Sequence, residues 1–90
     1  MNNIKNTLIH VLGVHPTGAN EVQARATIRL GDPKPGDRVW FQGAELVKHE
    51  LEIVSIRRSS RLWTIGLTGT GSDLEQLVGG TYLYDSDIGS

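Results

Sequence analysis

The chain has no cysteine, and this absence excludes a disulfide framework, a thiolate metal site and a thiol nucleophile. No apolar run approaches the roughly 18 residues that a membrane-spanning helix needs. The net charge of −1 gives no overall attraction to nucleic acid or to an anionic membrane surface. Together these absences predict a cytoplasmic protein whose partners include neither a membrane nor DNA.

What the chain does contain is the composition of one small globular domain. Hydrophobic residues make up 38% and charged residues 21% of its 90 residues, which are too few to build two cores. We therefore expect a single domain over residues 1–90. Its charge is uneven, because all nine lysines and arginines lie within residues 1–61 and residues 62–90 carry only acids. Residues 86–90 are expected to form a frayed tail.

Alternation of apolar and polar residues predicts β-strands along most of the chain. The clearest example is 22–30, and further strands are expected at 7–14, 37–43, 50–57, 61–68 and 81–84. The alternation in 50–57 contains a fault that a bulge near Val54–Ser55 would repair. One helical turn is expected over 72–77, capped by Ser72 or Asp73. Six short strands with one helical turn predict an all-β fold, a small closed six-stranded antiparallel barrel.

The same alternation predicts which side chains fill the barrel. Inward positions share one parity within each strand. The predicted core consists of Val22, Ala24, Ala26, Ile28, Val39, Phe41, Ile53, Ile56, Ile65 and Leu67.

Three segments resemble a known family. They are V-Q-A-R-A-T-I-R-L-G-D-P-K-P-G-D-R-V-W-F-Q-G (22–43), L-E-I-V-S-I (51–56) and I-G-L-T-G-T-G-S-D-L-E-Q-L-V-G-G-T-Y-L-Y (65–84). With their Pro-Gly-Asp corner and their glycine-spaced single turn, they look like the second domain of translation GTPases of the elongation factor Tu type. The resemblance covers about residues 6 to 84. It implies that domain's β-barrel, standing here without the GTPase domain.

The chain departs from the family wherever the family carries chemistry. No Gly-x-x-x-x-Gly-Lys-Ser/Thr loop is present, so no nucleotide site is expected. The three histidines are scattered and no G-x-S-x-G elbow occurs, which leaves no pattern for a metal or a nucleophile. We expect no catalytic residue, no cofactor and no metal, and therefore not an enzyme.

Arginine and tryptophan, the residue types most enriched at binding hot spots, point to a binding surface. If the second and third strands pair as a hairpin, Arg25 and Arg29 lie beside Arg38 and Trp40 on one outer face. Alternatively, Trp40 packs under a loop or the tail with arginines stacked on it. A second basic cluster is expected at the turn after the fourth strand, formed by Arg57 and Arg58 together with Arg61.

These observations predict a non-catalytic binding domain that acts through a protein partner, such as an antitoxin, an immunity protein or a translation-associated accessory protein. The alternative is a module that binds RNA or the ribosome through the arginine and tryptophan face, and a weaker alternative is a small enzyme. The sequence does not fix the partner or the oligomeric state.

Overall fold

Six antiparallel strands close into a barrel, with one short helix before the last strand. The structure, a computed structural model, describes residues 7–43 and 45–85, so the predicted tail at 86–90 lies outside the described residues. Around the ring the strands follow the order β1-β2-β5-β4-β3-β6. The all-β fold class and the six-stranded closed barrel are confirmed. The elements are β1 (Leu8–Gly18), β2 (Glu21–Leu30), β3 (Arg38–Gln42), β4 (Lys48–Ser59), β5 (Leu62–Thr68), α1 (Gly71–Glu75) and β6 (Tyr82–Asp85).

The first strand is longer than predicted, because it continues through Pro16 to Gly18 before the two-residue turn at 19–20. Proline lacks the N–H that a strand between two neighbours needs, but an edge position tolerates it. Beyond Gly13, β1 pairs with β2 alone among the described residues, and this leaves room for Pro16.

The predicted bulge in β4 is confirmed. The register between β4 and β5 shifts between Ile53 and Ser55, so that Ile53 pairs with Leu67 and Ile56 pairs with Ile65. Both isoleucines therefore face the interior although they are three residues apart. The extra residue brings Ser55 opposite Gly66, where a Cβ would overlap the serine hydroxyl.

Eight of the ten predicted core residues are buried, and Ile28 and Ile56 are partly buried against them. Phe41 is the largest fully buried side chain, with 1% of its surface exposed. The prediction missed buried residues in the first, fourth and sixth strands and around the helix: Ile9, Val11, Leu51, Leu74, Leu77 and Leu83.

The helix seals one end of the barrel and begins earlier than predicted, at Gly71 instead of residue 72. Its cap is Thr70 rather than Ser72 or Asp73: the Thr70 hydroxyl oxygen lies 3.2 Å from the Asp73 backbone N–H, from which it accepts. Leu74 and Leu77 point from this turn into the core. Within the described residues, no helix is long and apolar enough to cross a membrane.

The Pro-Gly-Asp corner ties the connection between β2 and β3 to the fourth strand. Gly36 adopts φ 98°, which glycine tolerates, and its N–H donates to the Ile53 carbonyl over 2.7 Å. The Asp37 carboxylate accepts from the Lys34 backbone N–H at 2.9 Å. The loop therefore crosses to β4 instead of folding back on β2.

Candidate functional site

The predicted pairing of β2 with β3 is wrong. β2 pairs with β1 and β5, whereas β3 pairs with β4 and β6, so the two strands lie on opposite sides of the ring. The physical reason is the bonding of the 31–37 connection to β4 described above. Arg25 and Arg29 consequently do not share a face with Arg38 and Trp40, and the six predicted binding residues divide into two groups.

The first group centres on Trp40 and includes three rings that the prediction did not single out. His10 of β1 lies directly opposite Tyr82 of β6, and Tyr84 of β6 lies opposite Trp40 of β3. The His10 and Tyr82 rings stack at 4.4 Å with an interplanar angle of 7°. The Trp40 and Tyr84 rings are 5.0 Å apart and inclined by 33°. We call these four residues, on three adjacent strands, the aromatic face.

Trp40 is half-buried. Its neighbours Val39 and Phe41 are buried, so its ring lies on the outer side of the sheet as the alternation predicts. Strand β6 nevertheless covers part of the ring, since the Trp40 Nε1–H donates to the Asp85 carbonyl over 2.9 Å. The Lys48 ammonium lies 5.0 Å from the ring centroid, in the range of a cation–π contact.

Two cations and one carboxylate lie beside the aromatic face. Glu50 forms ion pairs with both cations, at 3.8 Å from the Lys48 ammonium and 3.9 Å from the Arg38 guanidinium. All three side chains are well exposed, so each ion pair contributes little to stability. Their effect is to offset part of the positive charge around Trp40.

The second group lies on β2, β5 and β4. Arg25 and Arg57 stand on either side of Thr64 in register, and all three have outward parity. Arg58 pairs with Trp63 and holds its guanidinium carbon 5.7 Å from that ring's centroid. Arg61 follows in the β4–β5 turn, and Arg29 extends β2 past the point where β5 begins. We call these five arginines the arginine end.

Sequence reasoning missed a histidine–carboxylate pair between β4 and α1. His49 Nδ1 lies 2.6 Å from Asp73 Oδ1, and Thr70 donates its hydroxyl to the other carboxylate oxygen over 2.8 Å. These two hydrogen bonds, from His49 and then from Thr70, lower the pKa of Asp73. The two residues are 24 positions apart in the chain, so no local motif signals their contact.

The surroundings of His49 are those of a structural cross-link. Its ring stacks on Phe41 with centroids 5.1 Å apart. A Cβ at position 43 would lie 2.9 Å from the His49 Nε2, so this nitrogen lies close to the Gly43 backbone. In the part of the chain that the structure describes, no group of three His, Cys, Asp or Glu is placed to hold a metal ion.

Comparison with protein-family models, with curated proteins and with solved structures gave no match. The likeness to the second domain of translation GTPases therefore stays a prediction from short motifs. Any functional assignment must be built from the two surfaces, the aromatic face and the arginine end.

Proposed function

We propose that this barrel is a non-catalytic binding domain that contacts a protein partner through the aromatic face. The observation that carries the proposal is the placement of two ring pairs, His10 with Tyr82 and Tyr84 with Trp40, on one outer face of β1, β6 and β3, with Tyr82 40% exposed. Tryptophan and tyrosine supply large, rigid contact area at the centre of protein interfaces. A row of such rings on a sheet has the composition of a hot spot.

Local charge supports a protein as the partner of this face. A nucleic-acid surface needs cations that are available to phosphates. Here the nearest cations, Lys48 and Arg38, are both paired with Glu50. A protein interface, in contrast, tolerates ion-paired side chains in the polar rim around an aromatic centre.

The proposal places the protein in the cytoplasm, in one of the roles that a small partner-binding domain fills: an antitoxin, an immunity protein or an accessory to translation. We propose a non-catalytic protein because the contact between His49 and Asp73 links strand β4 to helix α1, which is a structural role. The identity of the captured partner distinguishes these roles, because a toxin enzyme and a translation factor are recognised by different activity assays.

The test compares two variants matched for exposure. Tyr82→Ala removes an exposed ring of the aromatic face, and Val54→Ala removes an exposed apolar side chain elsewhere, at 40% and 41% exposure respectively. Partners are captured from native lysate with and without nuclease treatment, identified, purified and titrated against each variant. We expect Tyr82→Ala to weaken binding by about 2 kcal/mol, or roughly 30-fold, and Val54→Ala to leave it within about twofold.

Circular dichroism and the thermal midpoint establish that both variants are folded. Unchanged affinity of a folded Tyr82→Ala variant would show that the partner does not use the aromatic face. Loss of every captured protein on nuclease treatment would show that the partner is held through nucleic acid.

A further inference from the structure

Positive charge is concentrated at one end of the sheet formed by β2, β5 and β4. In one row across these strands Glu21 and Glu52 flank Thr68. A second row, four residues further along β2 and, because of the bulge, five residues further along β4, has Arg25 and Arg57 flanking Thr64. The three strands are therefore acidic towards α1 and basic towards the β4–β5 turn. Within residues 7–43 and 45–85, no carboxylate lies within 4.0 Å of the Arg25, Arg57 or Arg58 guanidinium.

We propose that the arginine end binds single-stranded nucleic acid by its phosphodiester backbone. The site is distinct from the aromatic face, and the proposal does not depend on the proposed function. The RNA-binding face predicted from the sequence combines Arg25 with Arg38 and Trp40. The surface proposed here combines Arg25 with Arg57 and Arg58 instead.

The donors are arranged for phosphate oxygens. Neighbouring strands are about 4.8 Å apart, so the Arg25 and Arg57 backbones stand roughly 10 Å from each other with the Thr64 hydroxyl between them. Guanidinium groups present forked N–H donors that match phosphate geometry. A polar depression of about 300 Å³, lined by Arg57, Arg58, Ser59 and Thr64, adds two hydroxyls beside the guanidinium groups.

A polyanion fits this surface better than a single phosphate. Two arginines are enough to clamp one phosphate, whereas this end of the sheet carries more. Arg58 has the inward parity of Trp63 but lines the same depression as Arg57, and Arg29 and Arg61 lie at the margin. Successive phosphates of one strand can use donors that are spread in this way, as in the positively charged grooves that follow a nucleic-acid backbone.

The contact between Arg58 and Trp63 favours an unpaired strand. The indole ring holds the guanidinium over its face at 5.7 Å, and Trp63 itself is packed against the core. A guanidinium plane fixed in this way is a stacking surface for a base. Bases in a duplex are already stacked on each other and cannot use it.

The experiment measures binding of fluorescein-labelled oligouridine and oligothymidine of about 12 nucleotides, a length within the range of one small β-barrel site, to the full chain. Fluorescence anisotropy is recorded between about 50 and 200 mM salt. The Arg25→Gln/Arg57→Gln double variant should bind at least about tenfold more weakly at the lowest salt. The slope of log affinity against log salt should fall by about 1.4, because each phosphate contact to a single strand contributes about 0.7.

Two variants serve as controls. Arg38→Gln removes an arginine that is paired with Glu50 on the other side of the barrel, and it should change neither affinity nor slope. Arg58→Lys keeps the charge but removes the planar group, so it should weaken binding while the salt slope stays the same. All variants are exposed substitutions, and circular dichroism confirms their fold.

Preference between the two oligonucleotides distinguishes RNA from DNA as the natural source, and binding of either supports the proposal. Failure of both to bind at the lowest salt would overturn it. It would also be overturned by an equal loss of affinity in Arg38→Gln, by tighter binding of a duplex of the same length, or by equally tight binding of an oligoglutamate, which would identify an acidic protein segment as the ligand.

Discussion

Replacing Phe41 with alanine tests the register of the whole barrel. Phe41 belongs to β3, and its side chain is 1% exposed. Its ring stacks on the His49 ring with centroids 5.1 Å apart. Truncation of a buried phenylalanine costs about 3–5 kcal/mol, which includes the transfer of the ring and the cavity that remains. A domain of this size has roughly 5–13 kcal/mol of total stability, so the variant should lose about a quarter of it or more.

The measurement is urea denaturation followed by far-ultraviolet circular dichroism, with the denaturant dependence m compared between variants. We expect an unchanged m and a lower midpoint, because the core is weakened while the surface exposed on unfolding stays similar. At about 4–8 °C for each kcal/mol, the thermal midpoint should fall by roughly 12–40 °C. Phe41→Leu, which retains most of the volume, should cost less than about 1.5 kcal/mol.

Leu12→Ala is the control, because this leucine is 46% exposed and its truncation should change stability by no more than about 0.5 kcal/mol. A loss below about 1 kcal/mol in Phe41→Ala would refute the inward position of the ring. Equal losses in Phe41→Ala and Leu12→Ala would refute the assignment of inner and outer faces.

Four further substitutions test local features. Trp40→Phe removes the N–H that bonds the Asp85 carbonyl and should cost about 0.5–1.5 kcal/mol in the same denaturation assay; no loss would show that this bond to β6 is dispensable. Folding lowers the pKa of Asp73. The ionised Asp73 carboxylate therefore stabilises the fold above its unfolded-state pKa, near 3.9, and this stabilisation is lost as the pH falls through the lower folded-state pKa. Asp73→Asn should therefore show a smaller loss of stability on acidification below about pH 4, and an unchanged acid limb would contradict this. A Cβ at Gly79 would lie 2.7 Å from the Leu12 carbonyl oxygen, so Gly79→Ala should cost about 1–3 kcal/mol, whereas Gly71→Ala, with no described atom within 4 Å, should be neutral or stabilising by up to about 1 kcal/mol.

Local patterns predicted the elements well. Strict alternation in 22–30 reflects a strand with one buried face, and the fault in 50–57 reflects an extra residue in the ladder. Both signals are contained within a few neighbouring residues. This explains why strand positions, the bulge and most of the core could be predicted without knowledge of the pairing.

Pairing between distant strands could not be predicted in the same way. The connection at 31–37 has the turn residues of a hairpin loop, and only its hydrogen bonds to Ile53 show that it delivers β3 to β4. Because these turn residues predict a hairpin between β2 and β3, the sequence groups Arg38 with Arg25. The rings of His10 and Tyr82 are 72 positions apart in the chain and meet only because β6 closes the barrel beside β1.

The bulge in β4 determines at which positions this strand can lose a residue while Ile53 and Ile56 stay inside the barrel. A sequence without Val54 or without Ser55 would alternate regularly and would still place Ile53 and Ile56 inside and Arg57 outside. Deletion of Glu52 would instead turn Ile53 outward and Val54 inward in a regularly alternating strand. Loss of Ser55 would also remove the hydroxyl that overlaps a Cβ at Gly66, and it would leave the Val54 methyl, at 3.2 Å from that Cβ, as the nearest side chain. Related chains that are one residue shorter at Ser55 should therefore accept alanine or serine in place of this glycine, so that two positions eleven residues apart change together.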